Sequence, residues 1–243
     1  MYTLLRKEIS IFLSSLIGYI VIAVFLLING LFIWIFPMEF NILLFGYASL
    51  DGLFIIAPFV FLFLIPAVTM RFFADERRSG TMELLLTKPV SDLQIIMAKY
   101  LAGLILVIGA ILPTLIYVIS VWHLGLETGN LDRGGTLGSY LGLFFLAAAF
   151  VATGLFSSSL TDNQIVAFII AVFLCGFSYI GFEAIHNLEL MGRFDLFVKS
   201  LGINAHYVSM SRGVIDTRDV VYFLSYIALF VLLTLISLQR RKW

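Results

Sequence analysis

The sequence predicts an all-α, polytopic membrane protein with six transmembrane helices behind an amphipathic helix that lies at the membrane interface. Three observations lead there. Of 243 residues, 61% are hydrophobic and only 12% charged, against about 25% charge in a soluble domain. Apolar runs near the roughly twenty residues that a helix needs to cross hydrocarbon recur six times. The lysines and arginines between those runs fall mainly on one side.

Residues 1–15 are amphipathic rather than spanning. Leu5, Ile9, Phe12 and Leu13 recur at helical spacing, while Arg6, Lys7, Glu8 and Ser10 lie mostly off that stripe. An interfacial helix fits this pattern; a plain extension of the first span is the alternative. Span one covers about 16–36. It is too long for a signal peptide and lacks a small-residue cleavage site, so it reads as a retained helix. Span two covers about 52–70 and contains Pro58 and Pro66, which predict a kink.

A charged interruption follows at 71–92. Its first part, ADERRSGT, is hydrophilic; its second, MELLLT, carries three consecutive leucines and stops at Pro89. Thr81 can cap a short helix, Glu83 suits that helix's positive end, and Lys88 with Pro89 ends it. About two turns with a leucine-rich side are too short to span lipid and too apolar for a simple linker, which marks a docking element. Glu76, Arg77, Arg78 and Lys88 flank it.

Ser91 and Gln94 have capping-box spacing and start span three, about 95–122. That run exceeds the hydrocarbon thickness, so its first turns stand among headgroups and Lys99 is expected to snorkel to water. A Gly-rich polar loop leads to span four, about 140–160, with the small-residue pairs Gly138/Gly142 and Ala148/Ala152 for close helix approach. SSSLTDNQ (157–164) reads as a tight turn before span five, about 165–182. In the long segment 183–219, Leu190, Phe194, Phe197, Val198 and Leu201 share a helical stripe, predicting a surface-lying or partly re-entrant helix. Span six covers about 220–238.

One side carries ten basic residues: Arg6, Lys7, Arg71, Arg77, Arg78, Lys88, Lys99, Arg240, Arg241 and Lys242. The other carries five: Arg133, Arg193, Lys199, Arg212 and Arg218. The richer side, with both termini, is expected in the cytoplasm, and an even number of spans agrees.

The formal net charge is zero and no basic stripe marks a nucleic-acid surface. The span centres are free of charge, which argues against ion-coupled transport within the chain. His123, His186 and His206 form no ligand pattern and read as ordinary surface residues, so no metal is expected. The lone Cys175 sits in an apolar run and reads as a buried thiol. No polar pair marks an intramembrane hydrolase, and the sequence has neither a phosphate-binding G-x-x-x-x-G-K-[ST] loop nor any Gly-Lys pair. No catalytic residue and no cofactor of the chain's own is expected. Any uphill work must then enter mechanically, through the leucine-rich element. Asn29 and Gly30, or Gly176 and Ser178, line either a path or a dimer seam, with plain packing the favoured reading.

Residues 73–103, FADERRSGTMELLLTKPVSDLQIIMAKYLAG, resemble the signature of ABC type-2 transporter permeases. The tail HYVSMSRGVIDTRDVVYFLSYIALFVLLTLISLQRRKW (206–243) and the turn SSSLTDNQIVA add to the likeness, which is nearest to the gliding-motility-associated permease subunit (GldF type) and its NosY-type relatives. The resemblance implies a six-span half-transporter of the ABC type-2 permease fold in the bacterial inner membrane. It also implies pairing with a second permease chain and with separate ATP-binding subunits that hold ATP and magnesium. Carried onto this sequence, the coupling helix that meets the ATPase comprises Gly80, Thr81, Met82, Glu83, Leu84, Leu85, Leu86 and Thr87. The connecting helix falls near 2–14 and the external helices within 183–216. Export linked to gliding motility or secretion is the implied activity. The competing expectation is a membrane scaffold that docks a non-ATPase partner through the same loop.

Overall fold

The computed structural model describes residues 2–45, 48–82, 90–125, 130–188, 192–213 and 215–240, and these are helical with no strand among them. Six runs among the described residues are long and apolar enough to cross a membrane: Gly18–Ile35, Asp51–Arg78, Asp92–Leu124, Arg133–Leu160, Gln164–Asn187 and Thr217–Gln239. They are called spans one to six below. A separate helix, Tyr2–Ser14, precedes them.

The break between that helix and span one is local chemistry. Ser15 turns extended, and its backbone N–H and its hydroxyl both return to the carbonyl of Phe12. The chain folds back so closely that a Cβ on Gly18 would lie 2.5 Å from that same carbonyl oxygen. Only glycine permits this approach.

Span four is the hub. Of its most apolar window 78% is buried, against 22% for span six, and it packs on spans two, three, five and six. Its residues explain why: Ala147, Ala148, Ala149 and Ala152 present almost no side-chain bulk and are all buried. Gly154 faces Thr69 of span two so tightly that a Cβ there would overlap the threonine side chain. Small residues let backbones approach where lipid supplies no hydrophobic drive between helices.

Three boundaries differ from the sequence reading. Span two does not give way to a polar loop at residue 71: after Met70 a second helix, Arg71–Arg78, carries on from it. Phe72, Phe73 and Ala74 are buried in its first half, while the charged residues follow in its second half and end on the exposed Arg78, so a stretch that reads as hydrophilic on average is partly core. Span four begins at Arg133 rather than near 140, because Asp132 accepts from the Gly135 N–H at 3.0 Å and caps it. Its end at Leu160 is the one expected, but the turn read at 157–164 is shorter, because Ser157, Ser158 and Ser159 are buried inside the helix and only 161–163 turn the chain. Within span three, Pro113 sits in a short 3-10 turn, Leu112–Thr114, that its missing N–H accommodates.

At the end of the bundle away from the termini, helices Asp195–Ser200 and Ile203–Ser211 precede span six. Phe194, Phe197 and Leu201 are exposed, and Leu190 lies outside the described residues. Burial instead falls to Ile203, Tyr207 and Met210 of the following helix. That helix lies against Gly138 and Gly142 of span four, and the Tyr207 hydroxyl donates to the Phe54 carbonyl of span two at 2.6 Å. His206 is no ordinary surface residue either. Its Nδ1 lies 2.7 Å from Asp219 Oδ1 and its Nε2 2.9 Å from the Ser200 carbonyl, and its ring stacks on Tyr222 with centroids 3.8 Å apart.

Candidate functional site: the charged junction at the terminal end

At the end of the bundle that carries both termini, four elements converge: the Tyr2–Ser14 helix, the Arg71–Arg78 helix, the start of span three and the end of span four. The connection between the second and third of these is the charged loop.

Lys99 occupies the centre. It is not drawn out to water; its side chain is 1% exposed. Its Nζ lies 3.1 Å from Glu8 Oε1 and 2.9 Å from Glu76 Oε1, and 5.4 Å from the centroid of the Phe73 ring. Lys7, half in solvent, reaches Glu76 at 3.7 Å. Two lysines and two glutamates thus balance, and three chain segments are held by one ammonium. The snorkelling expectation fails because span three begins at Asp92 and the N-terminal helix packs along it, with Glu76 and Phe73 closing over Lys99, so Lys99 is covered by protein where a free helix end would meet headgroups. A buried ammonium is tolerable only when paired and hydrogen-bonded; here two carboxylates do that.

Glu8 was placed off the apolar stripe of its helix by the sequence pattern, yet it is buried. Conversely Leu13, placed on the stripe, is 57% exposed. Leu5, Ile9 and Phe12 of the stripe do pack against the bundle, and Glu8 enters it beside them.

Span four secures the Arg71–Arg78 helix from behind. The Ser158 hydroxyl accepts from the backbone N–H of Phe73 at 2.9 Å and of Ala74 at 3.2 Å, and donates to the Met70 carbonyl at 2.9 Å. It therefore bridges the point where span two passes from one helix to the next. The Gln164 amide at the start of span five donates to Asp75. Ser237 near the end of span six donates to the Ser159 carbonyl at 3.1 Å.

The helix then stops abruptly. Ser79 donates through its hydroxyl to the Asp75 carbonyl at 2.8 Å, and Gly80 takes a φ of 70° with its N–H on the Arg77 carbonyl, the left-handed stop that glycine provides most readily. Of the predicted docking residues, Gly80 is therefore the terminator of the preceding helix. The Thr81 hydroxyl, expected to cap forward, bonds backward to the Glu76 carbonyl at 3.3 Å and to the Ser79 hydroxyl at 2.8 Å. Met82 packs on the hydrophobic core. Glu83, Leu84, Leu85, Leu86, Thr87 and Lys88 lie outside the described residues. Glu76 joins the ion cluster, Arg77 is half-buried and Arg78 is exposed. On the far side of the loop, Ser91 and Gln94 form a reciprocal capping box that starts span three.

The loop is thus gripped at both ends: by the Arg71–Arg78 helix on one side and by a capped span three on the other, with Glu76 and Lys99 joined directly across it. Sequence reasoning found the loop and the capping box but missed Glu8, Lys99 and Ser158 as partners. The available signal was a lysine in an apolar run and an acid in an amphipathic helix, 91 positions away.

Several polar residues inside the spans bond within the bundle. Asn29 is fully buried and its amide donates to the Phe25 carbonyl at 2.8 Å. The Tyr226 hydroxyl joins Ser178 of span five at 2.8 Å and Thr153 of span four at 3.2 Å.

A family model described as ABC-2 family transporter protein matches residues 44–237. The comparison with curated proteins found no match.

Proposed function

From the finding that the chain belongs to the ABC-2 transporter family, and is therefore a multi-pass permease component, we propose that a separate ATP-binding subunit drives it through the loop at 80–87. On this reading Gly80, Thr81, Met82, Glu83, Leu84, Leu85, Leu86 and Thr87 form the docking element, with Glu76, Arg77, Arg78 and Lys88 at its margins. ATP and magnesium reside on the partner, and this chain contributes no catalytic group. Two permease chains form the membrane part, in the bacterial inner membrane with both termini in the cytoplasm, as the ten-to-five bias in basic residues supports. The direction is export, with gliding motility or secretion (the GldF-type and NosY-type relatives) as the setting.

The observation that carries this reading is the burial of Lys99 between Glu8 and Glu76. A force applied to the loop meets no slack: the Arg71–Arg78 helix, the N-terminal helix and the foot of span three must move together, because separating them would strand a buried charge. Ser158 and Gln164 pass the same displacement to spans four and five. The ensuing tilt of spans one, two and five opens the outward path.

The test is affinity purification of the full chain from its native membrane, wild type beside Leu85→Glu. The proposal expects a nucleotide-binding protein with the wild type, lost in the variant, while membrane insertion is unchanged. An equal yield of that subunit with Leu85→Glu contradicts it. Recovery of a partner without a nucleotide site supports instead a scaffold that docks through the same loop.

A further inference from the structure

We propose that the groove between the N-terminal helix, span one and span three is a binding site for an anionic phospholipid, with an acyl chain in the groove and the phosphate at Arg6. This does not rest on the transporter reading.

The groove has a volume of 190 Å³, room for part of one acyl chain. Its lining includes Ile9, Leu13, Tyr19, Ile22, Ile105 and Leu106, and the only side-chain polar atom it offers is the Tyr19 phenol. Nothing in it fixes the orientation of a polar ligand, so its occupant is hydrocarbon. The hollow exists because Gly18, Ala102 and Gly109 present little or no side chain. At Gly109 the space is real: an added Cβ would meet only Ile22 Cδ1, at 3.8 Å.

Charge selects which hydrocarbon. Arg6 lies one turn before Ile9 and two before Leu13, on the same face of the N-terminal helix, and so at the mouth of the groove. It is exposed, and among the described residues no carboxylate pairs with it, whereas Lys7 and Lys99 are committed to Glu8 and Glu76. A guanidinium at the interface end of an apolar slot complements a lipid phosphate. The exposed Leu13 and Tyr19 beside it are suited to a lipid tail.

The full chain in mild detergent is incubated with phosphatidylglycerol or phosphatidylcholine, and bound lipid is counted by native mass spectrometry. We expect the wild type to retain phosphatidylglycerol in preference to phosphatidylcholine. Arg6→Gln reduces that preference about fivefold, the worth of one interfacial basic residue. Gly109→Leu and Ile105→Phe fill the slot from two sides and lower retention of both lipids, with helicity by circular dichroism unchanged. Equal retention of the two lipids by the wild type overturns the proposal, as does a preference untouched by Arg6→Gln or a retention untouched by both filling variants. A wild-type dimer that dissociates in Gly109→Leu also overturns it, by showing that a second copy occupies the groove.

Discussion

Glu8 and Lys99 are 91 positions apart and meet at 3.1 Å, the lysine almost wholly out of reach of solvent. With Glu76 at 2.9 Å on the other side, this contact ties the first helix of the chain to both strands of the polypeptide that flank the charged loop.

Removing the ammonium is therefore worse than removing the whole cluster. Lys99→Met leaves Glu8 and Glu76 facing one another with only the half-exposed Lys7 beside them and should cost about 3–5 kcal/mol, read as a clear fall in the melting temperature of the detergent-solubilised chain. The triple variant Glu8→Gln, Glu76→Gln, Lys99→Met should recover most of that loss. If it melts no higher than Lys99→Met, the three groups do not act as one unit.

The outer helix depends on glycine in span four. A Cβ at position 138 would run into the Met210 carbonyl, and backbone cannot step aside as a side chain can. Gly138→Ala should lift Ile203–Ser211 off the bundle at a cost of about 1–3 kcal/mol. Met210→Cys, buried in the parent, becomes reactive toward a maleimide only when Gly138→Ala is present. A thiol equally unreactive in both backgrounds would show the packing to be slacker than described.

His206 bonds both to the Asp219 carboxylate and to the Ser200 carbonyl, both acceptors, and the second Asp219 oxygen is buried without a hydrogen-bond partner among the described residues. His206→Phe keeps a ring for the stack on Tyr222 but makes neither bond. Stranding the carboxylate should lower stability by about 1–3 kcal/mol, whereas the double variant His206→Phe, Asp219→Asn loses less. Indistinguishable melting of the single variant and the parent would refute a holding role for the pair.

Much of this was legible in the residues. The six apolar runs, the Ser91–Gln94 capping box and the close approach at Gly138 and Gly142 are consequences of short-range pattern, and pattern is what a sequence displays. The helix at Arg71–Arg78 is hidden in the sequence because its mean polarity masks the buried Phe72, Phe73 and Ala74. Lys99 was misjudged for a different reason: whether a lysine near a helix end reaches water depends on what lies beside it, and its neighbours come from residues 8 and 76. His206 was passed over likewise, since Asp219 and Tyr222 sit on another helix. Pairings between distant segments leave no local signature.

On the proposed function, energy enters at the leucines of the loop. Cys175, the sole native thiol, is fully buried, so it does not compete with a thiol introduced as Leu85→Cys. Cross-linking from that position in native membranes should capture an ATP-binding subunit, with a yield that changes when ATP is added. Capture of a protein without a nucleotide site, or a yield indifferent to ATP, would contradict the account.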